Sequence, residues 1–248
     1  MDPNEFTIHA AIEDQHWWFR ARRNIIGAAL EKYAPQQRQH LLEIGCGTGG
    51  NLRFFAPRFG AVTGVDAAPS AVAFAKQRVP GEVFCGDFRE LLRGRWHDYD
   101  VVLLADVLEH VEHDHDFLRD LVAELKPGTT LIITVPAHPW LWSPHDAALG
   151  HHRRYTLSTL RALWATLPVQ THFMSHFNTL LLPLIAMARY TTPKQAAASH
   201  SDLQQHGPFV DRVLYAIFNA ETLWLRHARF PWGCSALAVL QKRDSSPQ

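Results

Sequence analysis

The chain contains little cysteine: three residues in 248, far apart at Cys46, Cys85 and Cys234. Their odd number and wide spacing exclude a disulfide framework and a Cys-x-x-Cys metal site. Such cysteine usage is typical of a reducing compartment, so the sequence predicts a cytoplasmic protein. The opening residues MDPNEFTIHA also lack the basic-then-apolar order of a signal peptide.

Neither charge sign is in surplus, because 24 Lys and Arg balance 24 Asp and Glu. Without a basic excess the sequence predicts no nucleic-acid partner. Long apolar runs are missing too. The nearest approach, Leu180–Ala188, contains Pro183 and is far shorter than the ~20 residues of a membrane span. The sequence therefore predicts no transmembrane segment.

The segment His40–Asn51, HLLEIGCGTGGN, organises the rest of the chain. Its apolar residues predict a short buried strand, and a helix is expected to begin near Asn51. Glycine tolerates positive φ and lets a ligand approach the backbone closely. A strand, a glycine turn and a helix whose free N–H groups point back at the turn together predict a nucleotide-binding corner.

The glycine spacing alone leaves the nucleotide open. Gly45-x-Gly47-x-x-Gly50 satisfies the dinucleotide pattern, and Gly45-x-Gly47-x-Gly49 satisfies the S-adenosylmethionine (SAM) pattern equally well. Glu43, a charge inside the strand before the glycines, favours the second interpretation. A tight turn that binds no ligand is the third.

Strands and helices alternate beyond this segment, which predicts an α/β fold with a doubly wound, mostly parallel seven-stranded sheet. Asp66, Asp87 and Asp106 each follow a predicted strand. Because ligands of such sheets bind beyond the carboxyl ends of the strands, we expect these carboxylates to share one rim with the glycine turn.

The ordered motifs LLEIGCGTGG, VTGVDAAPS, GDF, DVLEHV and LKPGTTLIITVP resemble the class I SAM-dependent methyltransferases, over about residues 38–136. The usual KPGG reads KPGT here. The flanking HWWFRARR, GHHRRYT and FPWG are similar to a bacterial methyltransferase subgroup of type 11/12. The resemblance implies a Rossmann-like fold, SAM as cofactor and S-adenosylhomocysteine (SAH) as product.

The resemblance also implies residue roles. The methionine-side pocket is expected at the glycine turn, the ribose at Asp66, the adenine amino group at Asp87, and the sulfonium beside Asp106. The full set of cofactor residues that it implies is Glu43, Gly45, Cys46, Gly47, Gly49, Asp66, Ala67, Gly86, Asp87, Phe88, Ala105, Asp106 and Val107.

Four regions are expected: an N-terminal helical lid (1–36), the cofactor-binding core (37–176), a helical cap inserted before the last strand (177–232), and that strand with a tail (233–248). Residues 5–33 are predicted to be helical. In the lid, Trp18 and Arg20 are predicted to contact the cofactor, with Arg20 or Arg22 directed at a carboxylate. The alternative is that Trp17 and Phe19 simply pack this helix on the sheet.

An oxygen or carbon atom that accepts the methyl group also has to lose a proton, and histidine is the usual base for this step. The candidates are His110, His145 and His151, with His152 beside them. The run Glu109–Asp116 is rich in metal-ligating side chains, but Asp114 or Asp116 can simply cap the next helix, and the sequence predicts no metal. His151–Tyr155 could bind an anionic acceptor or form a solvated basic turn.

The sequence therefore predicts methyl transfer from SAM to an unidentified small-molecule or lipid-like acceptor. The alternatives are a non-catalytic SAM-binding protein and, more distantly, a nicotinamide-dependent oxidoreductase. Burial of the apolar cap within the chain or in a homodimer is favoured over contact with a lipid-like acceptor or the membrane surface. A monomer, a homodimer and a peripheral membrane contact all stay open.

Overall fold

The structure is a computed structural model and describes residues 3–191 and 207–244. In this part of the chain, seven strands form one sheet in the order β3-β2-β1-β4-β5-β7-β6. The strands are β1 (His40–Ile44), β2 (Ala61–Asp66), β3 (Glu82–Cys85), β4 (Val101–Ala105), β5 (Thr130–Pro136), β6 (Val169–Phe177) and β7 (Ser235–Lys242). Strands β1 to β5 pair in parallel, whereas β7 runs antiparallel to both of its neighbours.

Helices cover both faces of the sheet. They are α1 (Pro3–Ile12), α2 (Trp17–Tyr33), α3 (Gly50–Phe55), α4 (Pro69–Arg78), α5 (Phe88–Leu91), α6 (Asp114–Glu124), α7 (Pro144–Ala148), α8 (Leu157–Ala162), α9 (Leu182–Thr191) and α10 (Pro208–Leu225). The predicted doubly wound, mostly parallel α/β fold is confirmed.

Alternating residues of the central strands enter two separate cores. Leu41 and Leu103 pack with α2 and α10 on one face, and Leu42 and Leu104 pack with α6 on the other. Every residue of β4 is buried, as expected of a central parallel strand that is covered on both sides. This packing fixes the carboxyl ends of β1, β2, β3 and β4 along one edge.

The prediction of one continuous helix over residues 5–33 was wrong. The chain turns after Ile12, and α2 begins at Trp17 behind the cap residue His16, whose side chain accepts from the Trp18 amide at 3.3 Å. The turn lets Glu13 reach the glycine loop, a long-range contact that local helix propensity does not encode.

The cap differs from its prediction in two respects. Phe177 ends β6 rather than beginning a helix, so the first cap helix is α9. The cap is also only partly buried within the described chain: Phe218 and Leu225 of α10 enter the core, whereas Phe209 is 78% exposed and Trp224 55% exposed. The polar segment between the cap helices, residues 192–206, lies outside the described residues.

Among residues 3–191 and 207–244, no helix combines the length and the hydropathy that crossing a bilayer requires. The cytoplasmic location stays a prediction, as does the division into lid, core, cap and tail.

Candidate functional site

The glycine loop between β1 and α3 uses left-handed backbone at three positions, with φ of 72° at Gly45, 54° at Gly47 and 86° at Gly49. A Cβ on Gly45 would lie 2.6 Å from Val107, so the loop approaches the end of β4 closely. A Cβ on Gly47 would meet no described heavy atom within 4 Å. The loop therefore exposes its backbone to open space at Gly47, where a ligand could approach.

Asp66, at the end of β2, faces this loop. Its carboxylate accepts from the backbone N–H of Gly47 and from that of Ala68, both at 2.8 Å. Ala67 beside it is exposed, and the Gly86 amide donates to the Asp66 carbonyl at 2.9 Å. Each carboxylate oxygen keeps a lone pair for a further donor such as a hydroxyl.

Glu43 is buried beneath the loop at 1% exposure, and its Oε1 accepts from the Asn51 amide at 2.7 Å. Burial raises its pKa to about 8, against the lowering effect of the Asn51 hydrogen bond. Glu43 therefore ties β1 to the start of α3. The Cys46 side chain also turns inward, since a Cβ on Gly64 would lie 2.8 Å from its sulfur, so Cys46 can offer a ligand only its backbone.

In the Gly86-Asp87-Phe88 motif after β3, Asp87 is exposed at the surface and Phe88 is buried in the core. Asp87 caps α5 by accepting from the Arg89 amide at 2.8 Å, and the Arg89 guanidinium also contacts it at 3.2 Å. The Phe88 ring instead packs in the core, 5.0 Å from the ring of Phe117. Phe88, predicted as a cofactor residue, can therefore face the rim only through its backbone.

Asp106 follows β4 in a left-handed conformation, φ 58°, that non-glycine residues seldom adopt. Its carboxylate accepts from Thr134 at 3.1 Å and from the Arg22 guanidinium. Arg22 is itself stacked on Trp18, 4.5 Å from the ring centroid. Strained backbone at the end of a strand, held by partners from β5 and α2, is typical of a functional position.

Arg20 lies elsewhere. Its guanidinium stacks on Tyr215 of α10 at 4.1 Å and pairs with Asp211 at 4.0 Å. Both arginines were predicted as candidates to face a carboxylate at the rim. The structure places Arg22 there, beside Asp106, and Arg20 away from it.

The turn between α1 and α2 fastens the lid to the glycine loop. Glu13 is 7% exposed, accepts from the Thr48 hydroxyl at 2.6 Å, and pairs with Arg78 of α4. A Cβ on Gly50 would clash with its carboxylate. Sequence reasoning missed Glu13, because the contact joins residues 35 positions apart.

On the other side of Asp106, a short turn places Glu109 at 0% exposure. Among the described residues no side chain donates to either of its carboxylate oxygens. Burial, together with the charge of Asp106, raises the pKa of Glu109 well above its usual value. The neighbouring His110 contacts His151 edge to face, with ring centroids 4.6 Å apart.

His151 is oriented by Asp146, a residue that the sequence did not single out. Asp146 is fully buried, lies 3.0 Å from His151 Nδ1, and accepts from Arg154 Nε at 2.8 Å. Burial alone would raise the pKa of Asp146, but hydrogen bonds from His151, Arg154 and Ser143 hold it below its usual value. The capping-box pattern Ser143-x-x-Asp146 was the available signal.

The remaining histidine candidates lie apart from this pair. His145, on α7, interacts with His9 of α1; burial, Arg22 and His145 together lower the pKa of His9 to about 4. His152 is exposed, and its amide donates to the Glu109 carbonyl at 2.7 Å. The structure thus brings together His110 and His151.

The family described as "Methyltransferase domain" matches residues 16–223. A mitochondrial ubiquinone biosynthesis O-methyltransferase from Schizosaccharomyces pombe is 32% identical over 144 residues, covering 55% of this chain and 48% of that protein. A demethylmenaquinone methyltransferase from Tropheryma whipplei is 26% identical, covering 66% of this chain and 65% of that protein. The chain thus spans about half to two thirds of these relatives.

A solved structure gives the same fold. The N-methyltransferase NodS from Bradyrhizobium japonicum WM9, in complex with SAH, matches with a TM-score of 0.56 and 15% identity, over 93% of this chain and 90% of that one. Three observations indicate the same family: the ordered motifs, the sheet topology, and a family match over most of the chain. This chain belongs to the class I SAM-dependent methyltransferases.

Proposed function

We propose that this chain transfers a methyl group from SAM to an oxygen or carbon of a small-molecule acceptor. The observation that carries the proposal is the 2.8 Å contact between the Asp66 carboxylate and the Gly47 amide, which joins an acidic strand end to an open glycine loop. Family membership over residues 16–223 supports it.

The cofactor is proposed to lie along the rim. Its ribose hydroxyls donate to Asp66, its adenine amino group is directed at Asp87, and its methionine part crosses the glycine loop toward Asp106. Arg22 leaves Asp106 to pair with the methionine carboxylate, because guanidinium and carboxylate groups match in geometry and charge.

A methyl group on a sulfonium is already activated, so the protein's contribution is chiefly alignment of donor and acceptor and exclusion of water. The acceptor also has to lose a proton. We assign this task to the side that carries His110 and His151, whose rings contact each other beside Asp106, rather than to His145.

Titration calorimetry with SAM and SAH tests the proposal. We expect saturable binding of one molecule per chain, and no heat with either ligand would contradict it. Tight binding without turnover on a broad panel of acceptors would instead favour a non-catalytic SAM-binding protein. Enhanced NADH fluorescence on mixing would favour the nicotinamide-dependent oxidoreductase.

The role of Arg22 gives a sharper prediction. We expect Arg22→Met to weaken SAH binding by about tenfold or more, since a charge-assisted pair contributes about 1.5–3 kcal/mol. The variant should bind 5′-methylthioadenosine, which has no carboxylate, about as well as the unmodified chain. Arg20→Met is the matched control and should leave SAH affinity within about twofold. An equal loss for both ligands would contradict a contact with the carboxylate.

For the acceptor we propose a lipid-like molecule. The two relatives are named for ubiquinone biosynthesis and for demethylmenaquinone. Both cap helices adjoin the site: Arg189 of α9 lies 3.6 Å from Asp146, and Asp211 of α10 accepts from the Trp17 amide at 3.0 Å. The exposed apolar side chains of α10 would then lie beside the acceptor's route.

This proposal predicts that the chain co-sediments with phosphatidylglycerol-containing vesicles. Replacing Phe209 and Ile217 by serine together should reduce the bound fraction several-fold, because it removes exposed apolar area from α10. Ile8→Ser, at an exposed apolar residue of α1, is the control. No co-sedimentation, or a homodimer in light scattering that the double variant dissociates, would contradict a lipid contact.

A further inference from the structure

Glu109 is a buried acid that no cationic side chain of the described residues contacts directly, although Arg22 and Arg154 lie near enough to lower its pKa. The surrounding carboxylates each have cationic or hydroxyl partners: Asp106 has Arg22 and Thr134, Asp146 has Arg154, and Asp114 has Tyr155 and Arg153. Within the described part of the chain, the Glu109 carboxylate receives no side-chain donor although it is 0% exposed. A buried carboxylate without a direct partner is costly, and a bound cation would supply that direct contact.

Two imidazoles lie against this carboxylate. One potential ligand atom each from Glu109, His110 and His151 can be chosen so that all three lie within 4.8 Å of one another. Bonds of about 2.0–2.2 Å to a tetrahedral ion place neighbouring donors about 3.4 Å apart. To share one ion, the three side chains would therefore move closer together by up to about 1.4 Å.

The surroundings of His151 provide an independent argument. Its Nδ1 lies 3.0 Å from the Asp146 carboxylate, which is itself held by Arg154 and Ser143. A histidine that donates one ring nitrogen to a fixed carboxylate presents its other nitrogen as a ligand, and this arrangement is common behind metal-bound histidines.

We propose that Glu109, His110 and His151 bind one divalent ion of the Zn²⁺ type. Two imidazoles and a carboxylate suit such ions, and three protein ligands leave a coordination position open. The prediction of no metal considered only the contiguous run Glu109–Asp116, which lacks His151. The ligand set forms because the segment that carries His151 returns to the turn after β4, where the His152 amide bonds to the Glu109 carbonyl.

The ion's role in catalysis rests on the proposed methyl transfer. An acceptor hydroxyl that occupies the open position would lose its proton to water near neutral pH, because a bound divalent ion lowers the pKa of its oxygen ligand. That oxygen then forms the new bond to the methyl carbon as the bond from carbon to sulfur breaks, leaving SAH. Under this proposal His110 and His151 act on the acceptor through the ion.

The test uses the untagged, metal-stripped full chain without SAM or acceptor. Titration with Zn²⁺ by calorimetry and with Co²⁺ by absorption should show one ion per chain. Glu109→Gln and His151→Asn should weaken binding at least tenfold. The exposed pair Glu112 and His113, three residues further on, supplies the controls Glu112→Gln and His113→Asn, which should bind like the unmodified chain.

No saturable binding by the unmodified chain, or equal binding by Glu109→Gln and His151→Asn, would overturn the proposal. Misfolding is checked by melting temperature, which Glu109→Gln should leave unchanged or raise, since it removes an unpaired buried acid. SAH calorimetry on the same samples separates the two proposals. Metal binding without SAH binding would contradict only the proposed methyl transfer, and SAH binding without metal binding would contradict only the ion site.

Discussion

Replacing Asp66 by alanine should weaken SAH binding by roughly a hundredfold. Hydrogen bonds from two ribose hydroxyls to a charged acceptor contribute about 1.5 kcal/mol each, so about 3 kcal/mol is lost together. The alanine also frees the Gly47 amide, which Asp66 now holds at 2.8 Å, so the loop loses part of its shape. Titration calorimetry measures the change.

The control for this experiment is Asp116→Ala, at an exposed aspartate on α6, which should bind SAH normally. Asp66→Asn keeps one acceptor oxygen and should fall between the two. If Asp66→Ala bound SAH as tightly as the unmodified chain, the ribose would not lie at Asp66.

Replacing Glu43 by glutamine should change how stability depends on pH. The pKa of Glu43 is raised from 4.5 to about 8, so the folded state keeps a proton that the unfolded state loses above about pH 4.5. Its contribution to stability is thus fully present below pH 4.5 and is lost as the pH rises to about 8. The glutamine amide stays neutral at every pH, and its oxygen can still accept from Asn51.

We therefore expect Glu43→Gln to gain stability relative to the unmodified chain as the pH rises from 5 to 8.5, by roughly 2–4 kcal/mol, and to level off above that. Urea unfolding at a series of pH values measures the difference. Glu90→Gln, at an exposed position on α5, should show no such trend. A difference that stays constant with pH would mean that Glu43 is ionised in the folded protein.

The sequence predicted that the glycine loop and Asp66 share one rim, because the features that place them there are local. A glycine loop directly after an apolar strand requires positive φ at Gly45, Gly47 and Gly49, and all three adopt it. An aspartate at the carboxyl end of a parallel strand has to lie at that edge of the sheet, as Asp66 does at the end of β2. In both cases the residues that determine the geometry are close together in sequence, so their spacing alone predicts it.

Sequence reasoning missed one long-range contact and one local contact. Glu13 reaches Thr48, 35 positions further on, because the chain turns between α1 and α2. Asp146 contacts His151, five positions further on, across the turn that ends α7. Neither residue belongs to a motif that names its partner. The choice between Arg20 and Arg22 also required the structure, because both lie on one helix and only their neighbours on α10 and at the end of β4 distinguish them.

A crystal structure of the chain with SAH tests the central claim most directly. We expect the ribose hydroxyls on the Asp66 carboxylate, the methionine part over Gly47, and the sulfur beside Asp106 with Arg22 at the cofactor's carboxylate. SAH bound away from the glycine loop, or Asp66 more than a hydrogen-bond length from the ribose, would contradict this account of the site.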